Sequence, residues 1–132
     1  MKKWLVGAGI VAVVLLAVLP MAVSAARSAQ TVSVTLSEFK IKGVPAKLKP
    51  GAVTFNVKNA GKFPHDFTVL YGPVKWKSGT IAPGKSKTLS ANLKPGAYLI
   101  VCAQGAGFHI SQGMLAKFTV GTFDFQSFKW RA

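Results

Sequence analysis

The chain has 132 residues, enough for one domain, and its 17 basic and 3 acidic residues give a formal net charge of +14. The basic residues are spread along the sequence, which excludes the clustered block of a nucleic-acid-binding tail. The single cysteine excludes an intramolecular disulfide, so its thiol is buried, reactive, bonded to another chain or held by a metal.

The N-terminal segment has the layout of a secretory signal peptide. Two lysines precede an apolar run over residues 4–19, and small residues follow it. The run is 16 residues long, whereas a membrane-spanning helix needs about 20, so a retained anchor is the less favoured alternative. We therefore predict a signal peptide over 1–26 and a periplasmic or secreted mature chain over 27–132. That mature chain has 15 basic residues against 3 acidic ones, a charge of +12.

The mature chain is patterned as short β-strands separated by Pro-Gly turns. Apolar residues alternate with polar ones in three segments, as in half-buried strands: Val32, Val34, Leu36, Val53, Phe55, Val57, Phe67, Val69 and Tyr71. Further strands are predicted near 86–93 and at 115–120. The continuous apolar run at 97–103 predicts a strand that is buried on both faces. No segment shows convincing helical periodicity.

These six or seven strands predict an all-β fold, an antiparallel β-sandwich in a single domain. An all-β barrel is the alternative. The aromatic and basic tail at 121–132 predicts an extra edge strand or a flap over the core. Its functional alternative is docking on a partner or on a membrane surface.

Four potential metal ligands occur in the strand-connecting segments. His65 opens a strand, Cys102 ends the apolar strand, and His109 and Met114 follow in the next loop. A β-sandwich can bring these segments to one pole, with the ligands pointing inward. A thiolate and two imidazoles with a weak axial thioether suit copper that cycles between Cu(I) and Cu(II). Zinc more often recruits carboxylates or additional cysteines. The set therefore predicts one copper per chain.

Alternatives exist for each of these residues taken singly. A lone buried cysteine usually behaves as a small hydrophobe, and a lone histidine or methionine is usually an ordinary surface or core residue. Gln112 is the alternative to Met114 as the axial ligand. Asp66 and Asn59 are the polar candidates for ordering His65, with a solvated charge as the alternative for Asp66.

Three segments together resemble the blue-copper cupredoxins of the plastocyanin and azurin group: "NAGKFPHDFTV", "LKPGAYLIVC" and "HISQGMLAKFTV". The resemblance implies a Greek-key β-sandwich with a type 1 copper ligated by His65, Cys102, His109 and Met114. Six residues separate Cys102 from His109, more than in many relatives, and a longer loop of this kind also occurs in the type 1 domains of copper nitrite reductases. The longer loop bears on the solvent access and the reduction potential of the site.

A copper with four protein ligands has no open position for a substrate, which favours electron transfer over catalysis. We predict a monomeric, non-enzymatic one-electron carrier whose redox partner is acidic at its docking face. His109 is expected to be the exposed ligand, beside an apolar patch of Phe63, Pro64, Ala106 and Phe108. A copper carrier or storage protein is the alternative function, and a copper-free interaction module is a third.

Overall fold

The structure is a computed structural model that describes residues 29–132. The predicted signal peptide over 1–26 lies outside these residues. Within the described part, the chain forms eleven strands and one short helix. Their bounds are β1 (Gln30–Ser37), β2 (Lys40–Lys42), β3 (Lys47–Leu48), β4 (Gly51–Asn59), β5 (Thr68–Tyr71), β6 (Val74–Lys77), β7 (Ser86–Leu93), β8 (Gly96–Val101), α1 (Phe108–Ser111), β9 (Leu115–Val120), β10 (Thr122–Asp124) and β11 (Lys129–Arg131).

Two sheets pack against each other, which confirms the predicted β-sandwich. One sheet has the strand order β2-β1-β4-β7 and the other has the order β3-β9-β8-β5-β6. The sheets are mixed rather than wholly antiparallel, because β1 pairs with β4, and β3 with β9, in parallel. After β2 the chain crosses to the second sheet as β3, and it returns so that β4 runs beside β1 in the same direction. Such a crossover is what a parallel pair requires.

The core lies between the two sheets, where the predicted alternation is confirmed. In β1 and β4 every second side chain is buried, and Phe55 and Leu36 are both 0% exposed. The ring of Phe55 lies 5.3 Å from that of Phe67 and 6.2 Å from that of Phe118, which joins the two layers. Burial of such aromatic side chains is the main stabilising contribution to a fold of this size.

The prediction that the apolar run at 97–103 is buried on both faces is wrong. In β8, Tyr98 and Ile100 point into the core, whereas Leu99 is 37% exposed and Ala97 is also exposed. Only one face of each sheet in a two-layer sandwich meets the other sheet. Among the described residues, no third layer covers the outer side of β8.

The structure adds one helical turn that the sequence pattern did not predict. The helix α1 has four residues and starts after Gly107, which has a φ of 90°. A single turn is too short to show a 3.6-residue period. Among residues 29–132, no helix has the length and apolarity that crossing a membrane requires.

The tail at 121–132 forms a hairpin of its own. Strands β10 and β11 pair only with each other, from Thr122 opposite Arg131 to Asp124 opposite Lys129. The tail is therefore not an added edge strand of either main sheet. We call this β10–β11 unit the C-terminal hairpin.

The sandwich has two distinct poles, which are defined by β8 and its antiparallel neighbour β9. Val101 lies opposite Leu115 at one end, and Gly96 lies opposite Val120 at the other. Cys102 follows the first end, which we call the cysteine pole. The C-terminal hairpin follows Val120 at the second end, which we call the hairpin pole.

Candidate metal centre

Three of the predicted ligands meet at the cysteine pole. The Nδ1 atoms of His65 and His109 are 3.2 Å apart. The Sγ of Cys102 lies 3.4 Å from Nδ1 of His109 and 3.7 Å from Nδ1 of His65. All three donor atoms fall within 4.8 Å of one another. Two imidazole nitrogens and a thiol sulfur thus converge on one point.

Backbone hydrogen bonds position both His65 and Cys102. The backbone of His65 forms an antiparallel bridge with Ile81, with hydrogen bonds of 3.1 and 2.7 Å. Cys102 is the first residue after β8, and its N–H donates to the carbonyl of Met114 at 3.3 Å. These backbone bonds fix where the imidazole and the thiol project.

The loop after Cys102 returns His109 to the thiol. The backbone N–H of His109 donates to the carbonyl of Gln104, and helix α1 then carries the imidazole inward. Gly105 and Gly107 have positive φ values of 64° and 90°, which glycine adopts at little cost. The longer loop is thereby accommodated in tight turns while the imidazole keeps its place beside the sulfur.

The structure favours Met114 over Gln112 as the fourth donor. The side chain of Met114 is 0% exposed and belongs to the core cluster, whereas Gln112 is exposed. The N–H of Met114 also donates to the carbonyl of His109 at 3.0 Å. Met114 is therefore tied through its backbone to two of the three converging residues.

Asp66 supports the cysteine side of the cluster. Its backbone N–H donates to the Sγ of Cys102 at 3.3 Å. Its carboxylate accepts hydrogen bonds from the N–H of Ala103 at 2.9 Å and from the side chain of Gln104 at 3.2 Å. Asp66 is only 9% exposed, so it is a buried brace of the loop and not a solvated charge.

Asn59 holds the loop that leads into His65. Its side-chain nitrogen donates to the carbonyls of Phe63 and Ile81, at 2.8 Å each. Its side-chain oxygen accepts from the N–H of Gly61 at 2.9 Å. The side chain is fully buried, and these bonds order the backbone of the His65 loop without touching the imidazole.

Glu38 is the acidic group beside His65, and the sequence reasoning missed it. Its Oε1 lies 3.6 Å from the Nε2 of His65, on the ring edge away from the cluster. The same oxygen accepts the backbone N–H groups of Lys62 and Phe63 at 2.5 and 3.0 Å. The available signal was that Glu38 is one of only three acidic residues in the chain.

The protonation of the site favours metal binding. Burial, followed by the neighbouring His109, lowers the pKa of His65, which keeps its imidazole neutral. Burial also raises the pKa of Cys102, so its thiol is unreactive unless a cation stabilises the thiolate. Three backbone N–H groups lower the pKa of Glu38 to about 2, so its carboxylate is charged at neutral pH.

The donor spacing is close to that of a three-coordinate plane. For a zinc-sized ion, bonds of about 2.0–2.3 Å at trigonal angles place nitrogen and sulfur donors roughly 3.5–3.8 Å apart, and the observed separations are 3.2–3.7 Å. The Nε2 of His65 is buried, has no hydrogen-bond partner among the described residues and faces a carboxylate. That arrangement favours the tautomer in which Nε2 carries the proton and the lone pair of Nδ1 is free to bind a metal. The residues therefore fit one copper ion per chain.

Solvent reaches the cluster only beside His109. His65, Cys102 and Met114 are 0% exposed, whereas His109 is 9% exposed. Its ring packs edge-on against Phe39 at 5.3 Å. The predicted apolar surroundings are present, because Phe63, Pro64, Ala106 and Phe108 are all exposed on the segments that carry the two histidines.

Comparison with known proteins adds two findings. A family model described as a cupredoxin-like domain matches residues 9–120. Among solved structures, the dithionite-reduced auracyanin of the photosynthetic bacterium Roseiflexus castenholzii is similar, with a TM-score of 0.61 and 17% identity, covering 70% of this chain and 98% of that one. Auracyanin B is similar with a TM-score of 0.59 and 18% identity, covering 70% and 89%. No curated protein matches the sequence significantly.

Because the sequence identities to these solved structures are only 17% and 18%, their likeness to this chain supports the fold alone. The family match extends over most of the sequence and includes both histidines, the cysteine and Met114. The sandwich and the His-Cys-His cluster at its pole agree with that match. The chain belongs to the cupredoxin-like domain family.

Proposed function

We propose that this protein is a one-electron carrier with a type 1 copper bound by His65, Cys102, His109 and Met114. The observation that carries the proposal is the convergence of two imidazole nitrogens and one thiol sulfur within 4.8 Å, in a buried pole of the sandwich. Soft sulfur donors favour the reduced ion and imidazoles accept the oxidised one, so this donor set suits a copper that changes charge by one.

The chain's own residues hold the donors in place. Cys102 and Met114 are joined by a backbone hydrogen bond, and His65 is bridged to Ile81. Asp66 and Asn59 fix the two loops from the sides. When bound, copper supplies the one-electron couple. A donor set held this firmly needs little rearrangement when the charge of the site changes, and small rearrangement supports fast electron transfer.

A non-enzymatic role follows from the same arrangement. His65, Cys102, His109 and Met114 would hold the ion, and all four side chains are buried, with His109 the most exposed at 9%. A substrate therefore has no free ligand position to enter. Apart from His65 and His109, the whole sequence has no histidine for a second copper site.

The exit for the electron is the exposed edge of His109. Phe63 is 59% exposed and Phe108 is 53% exposed, and both flank segments that carry ligands. Such an apolar surface suits the small, short-lived interfaces of redox proteins. We propose that partners dock here, over His109.

The charge of the protein selects the kind of partner. Two of the three acidic residues, Glu38 and Asp66, are engaged in hydrogen bonds at the cysteine pole, and Asp124 is engaged in the C-terminal hairpin. The remaining surface is strongly basic, so an acidic redox protein would associate fastest at low salt. Exchange between two copies should show the reverse dependence, because salt screens their repulsion. We propose a monomer with no nucleic-acid partner.

The location proposed is outside the cytoplasm, in the periplasm or secreted. The N-terminal lysines, apolar run and small residues support export. A single buried thiol is compatible with the oxidising conditions outside the cytoplasm.

Electron self-exchange tests the carrier function. The copper-loaded protein, purified after export, would be mixed in its reduced and oxidised forms, and the exchange rate would be read from NMR line widths. We expect fast exchange that rises with salt and slows in the double variant Phe63→Ser/Phe108→Ser, whose visible spectrum stays unchanged. Leu99→Ser, an exposed position outside this patch, is the matched control. Slow exchange, with transfer of copper to an apo-acceptor, would instead assign the protein to copper delivery or storage.

A further inference from the structure

The C-terminal hairpin presents two phenylalanine rings to solvent. Phe125 and Phe128 are each 80% exposed, more than any other large apolar side chain among the described residues. They lie in the turn between β10 and β11. Two neighbouring aromatic rings with this much exposure indicate a surface that contacts an apolar partner.

The C-terminal hairpin is an ordered element, because polar and aromatic contacts stabilise its turn. The ring of Phe123 lies 5.0 Å from that of Phe125, 5.4 Å from that of Phe128 and 5.2 Å from that of Trp130. The carboxylate of Asp124 accepts the backbone N–H of Gln126 at 2.9 Å, the hydroxyl of Ser127 at 2.7 Å and the Nε of Arg131 at 2.7 Å. These contacts present the two rings at a fixed tip.

Cationic side chains lie along the hairpin and at its base. Lys129 and Arg131 belong to β11 itself. The base of the hairpin packs on the sandwich where Gly121 donates to the carbonyl of Leu48 and lies against Pro95. Exposed lysines flank both of those contacts: Lys47, Lys49 and Lys94. Asp124 is the one acidic residue at this pole in the described part of the chain, and it is paired with Arg131.

The N-terminal segment joins the sandwich at the same pole. The first strand begins at Gln30, whose side chain bonds to the backbone of Lys49 at 2.7 and 2.9 Å. The apolar run at 4–19 precedes this point in the sequence. The described chain therefore enters the sandwich at the hairpin pole.

We propose that the C-terminal hairpin binds the surface of an anionic lipid membrane. Phe125 and Phe128 would enter the interfacial region, where aromatic rings are favoured, and Lys129 with the lysines at the base of the hairpin would meet the lipid phosphates. The six residues of β8 separate the two poles by about 20 Å. The protein would therefore sit on the membrane with His109 facing away from it, accessible to a diffusing partner.

Vesicle binding tests this proposal directly. The purified protein would be sedimented with vesicles of phosphatidylcholine alone and of phosphatidylcholine mixed with phosphatidylglycerol. We expect binding to the anionic vesicles only, weakened by salt and by roughly fivefold in Lys129→Gln. The double variant Phe125→Ser/Phe128→Asn should bind at least about tenfold more weakly. Asparagine is chosen because residue 128 has a φ of 54°, which asparagine tolerates.

Two controls separate the hairpin from other causes of binding. Phe63→Ser removes an exposed ring at the opposite pole and should leave vesicle binding unchanged. In the mature chain, which has Trp76 as its other tryptophan, brominated lipid should quench the fluorescence of Trp130, and Trp130→Phe should remove that quenching. Apo and copper-loaded protein should bind equally, so this test is independent of the proposed redox function.

Several results would overturn the proposal. These are equal binding to neutral vesicles, no loss of binding in the Phe125/Phe128 double variant, or no quenching of Trp130. If the protein instead self-associates in sedimentation velocity and needs Phe125 to do so, the hairpin would be a contact between two copies of the chain.

Discussion

The Oε1 of Glu38 lies 3.6 Å from the Nε2 of His65, on the opposite edge of the imidazole from the Nδ1 that faces Cys102. One carboxylate oxygen thus approaches the ring and also accepts the backbone N–H groups of Lys62 and Phe63. The end of β1 is thereby connected to the loop that carries the first histidine. Glu38 holds the loop before His65 and places a negative charge behind the imidazole.

Replacing Glu38 by glutamine should raise the reduction potential of the copper-loaded protein. The substitution keeps a carbonyl oxygen for Lys62 and Phe63 but removes the charge, which favours the oxidised state of the site. Cyclic voltammetry measures the potential, and the visible spectrum serves as the control for an intact ligand set. A potential equal to that of the wild type would show that Glu38 has only a structural role.

The identity of the fourth donor can be tested by a pair of substitutions. Met114→Leu conserves volume in the core and should cost less than about 1.5 kcal/mol of the unfolding free energy of the apo protein. It should nevertheless shift the reduction potential and the visible spectrum, because the axial thioether is lost. Gln112→Ala, at an exposed position, should change neither. The reverse pattern would assign the axial position to Gln112.

Asn59 should matter for stability more than its polarity suggests. Asn59→Ala removes the side-chain hydrogen bonds to the carbonyls of Phe63 and Ile81 and from the N–H of Gly61, a loss of about 2–4 kcal/mol in unfolding free energy. Asn56→Ala is the matched control on the same strand, because Asn56 is exposed and such changes stay within about 0.5 kcal/mol. Urea unfolding of the apo proteins measures both, and equal midpoints would contradict the assigned role of Asn59.

The C-terminal hairpin should open in acid. The hydroxyl of Ser127, then Arg131 and the N–H of Gln126, lower the pKa of Asp124 below its ordinary 3.8. A lowered pKa means that the ionised carboxylate stabilises the folded hairpin fully above pH 3.8, and this contribution is lost as the pH falls further. Trp130 fluorescence followed during acidification should report the opening. In Asp124→Asn the transition should be absent, and a transition that persists there would point to another group.

Features of the fold that depend on local sequence patterns could be predicted from the sequence. The alternation of Val32, Val34 and Leu36 identifies the buried face of β1, because a strand exposes every second side chain. The two histidines and the cysteine could be identified as metal ligands because few kinds of protein site combine these side chains at the ends of strands. Their meeting within 4.8 Å required only that two loops share a pole.

Other features depend on contacts between distant segments, which local patterns do not encode. Glu38 and His65 meet because β1 and β4 lie in parallel, and nothing near either residue announces that pairing. The residues on the outer face of β8 are apolar, so the sequence does not show that this face is exposed. Leu99 is exposed because the fold has only two layers. The turn of helix α1 arises from closing the loop between Cys102 and Met114, not from a helical pattern.

The most direct test of the copper site is the spectrum of the protein after addition of one equivalent of Cu(II). We predict an intense visible absorption from the bond between the Cys102 thiolate and copper, with a matching EPR signal from one copper per chain. In Cys102→Ser the absorption should disappear while the fold, judged by circular dichroism, is retained. A colourless wild-type protein, or a colour that survives in Cys102→Ser, would contradict the proposed site.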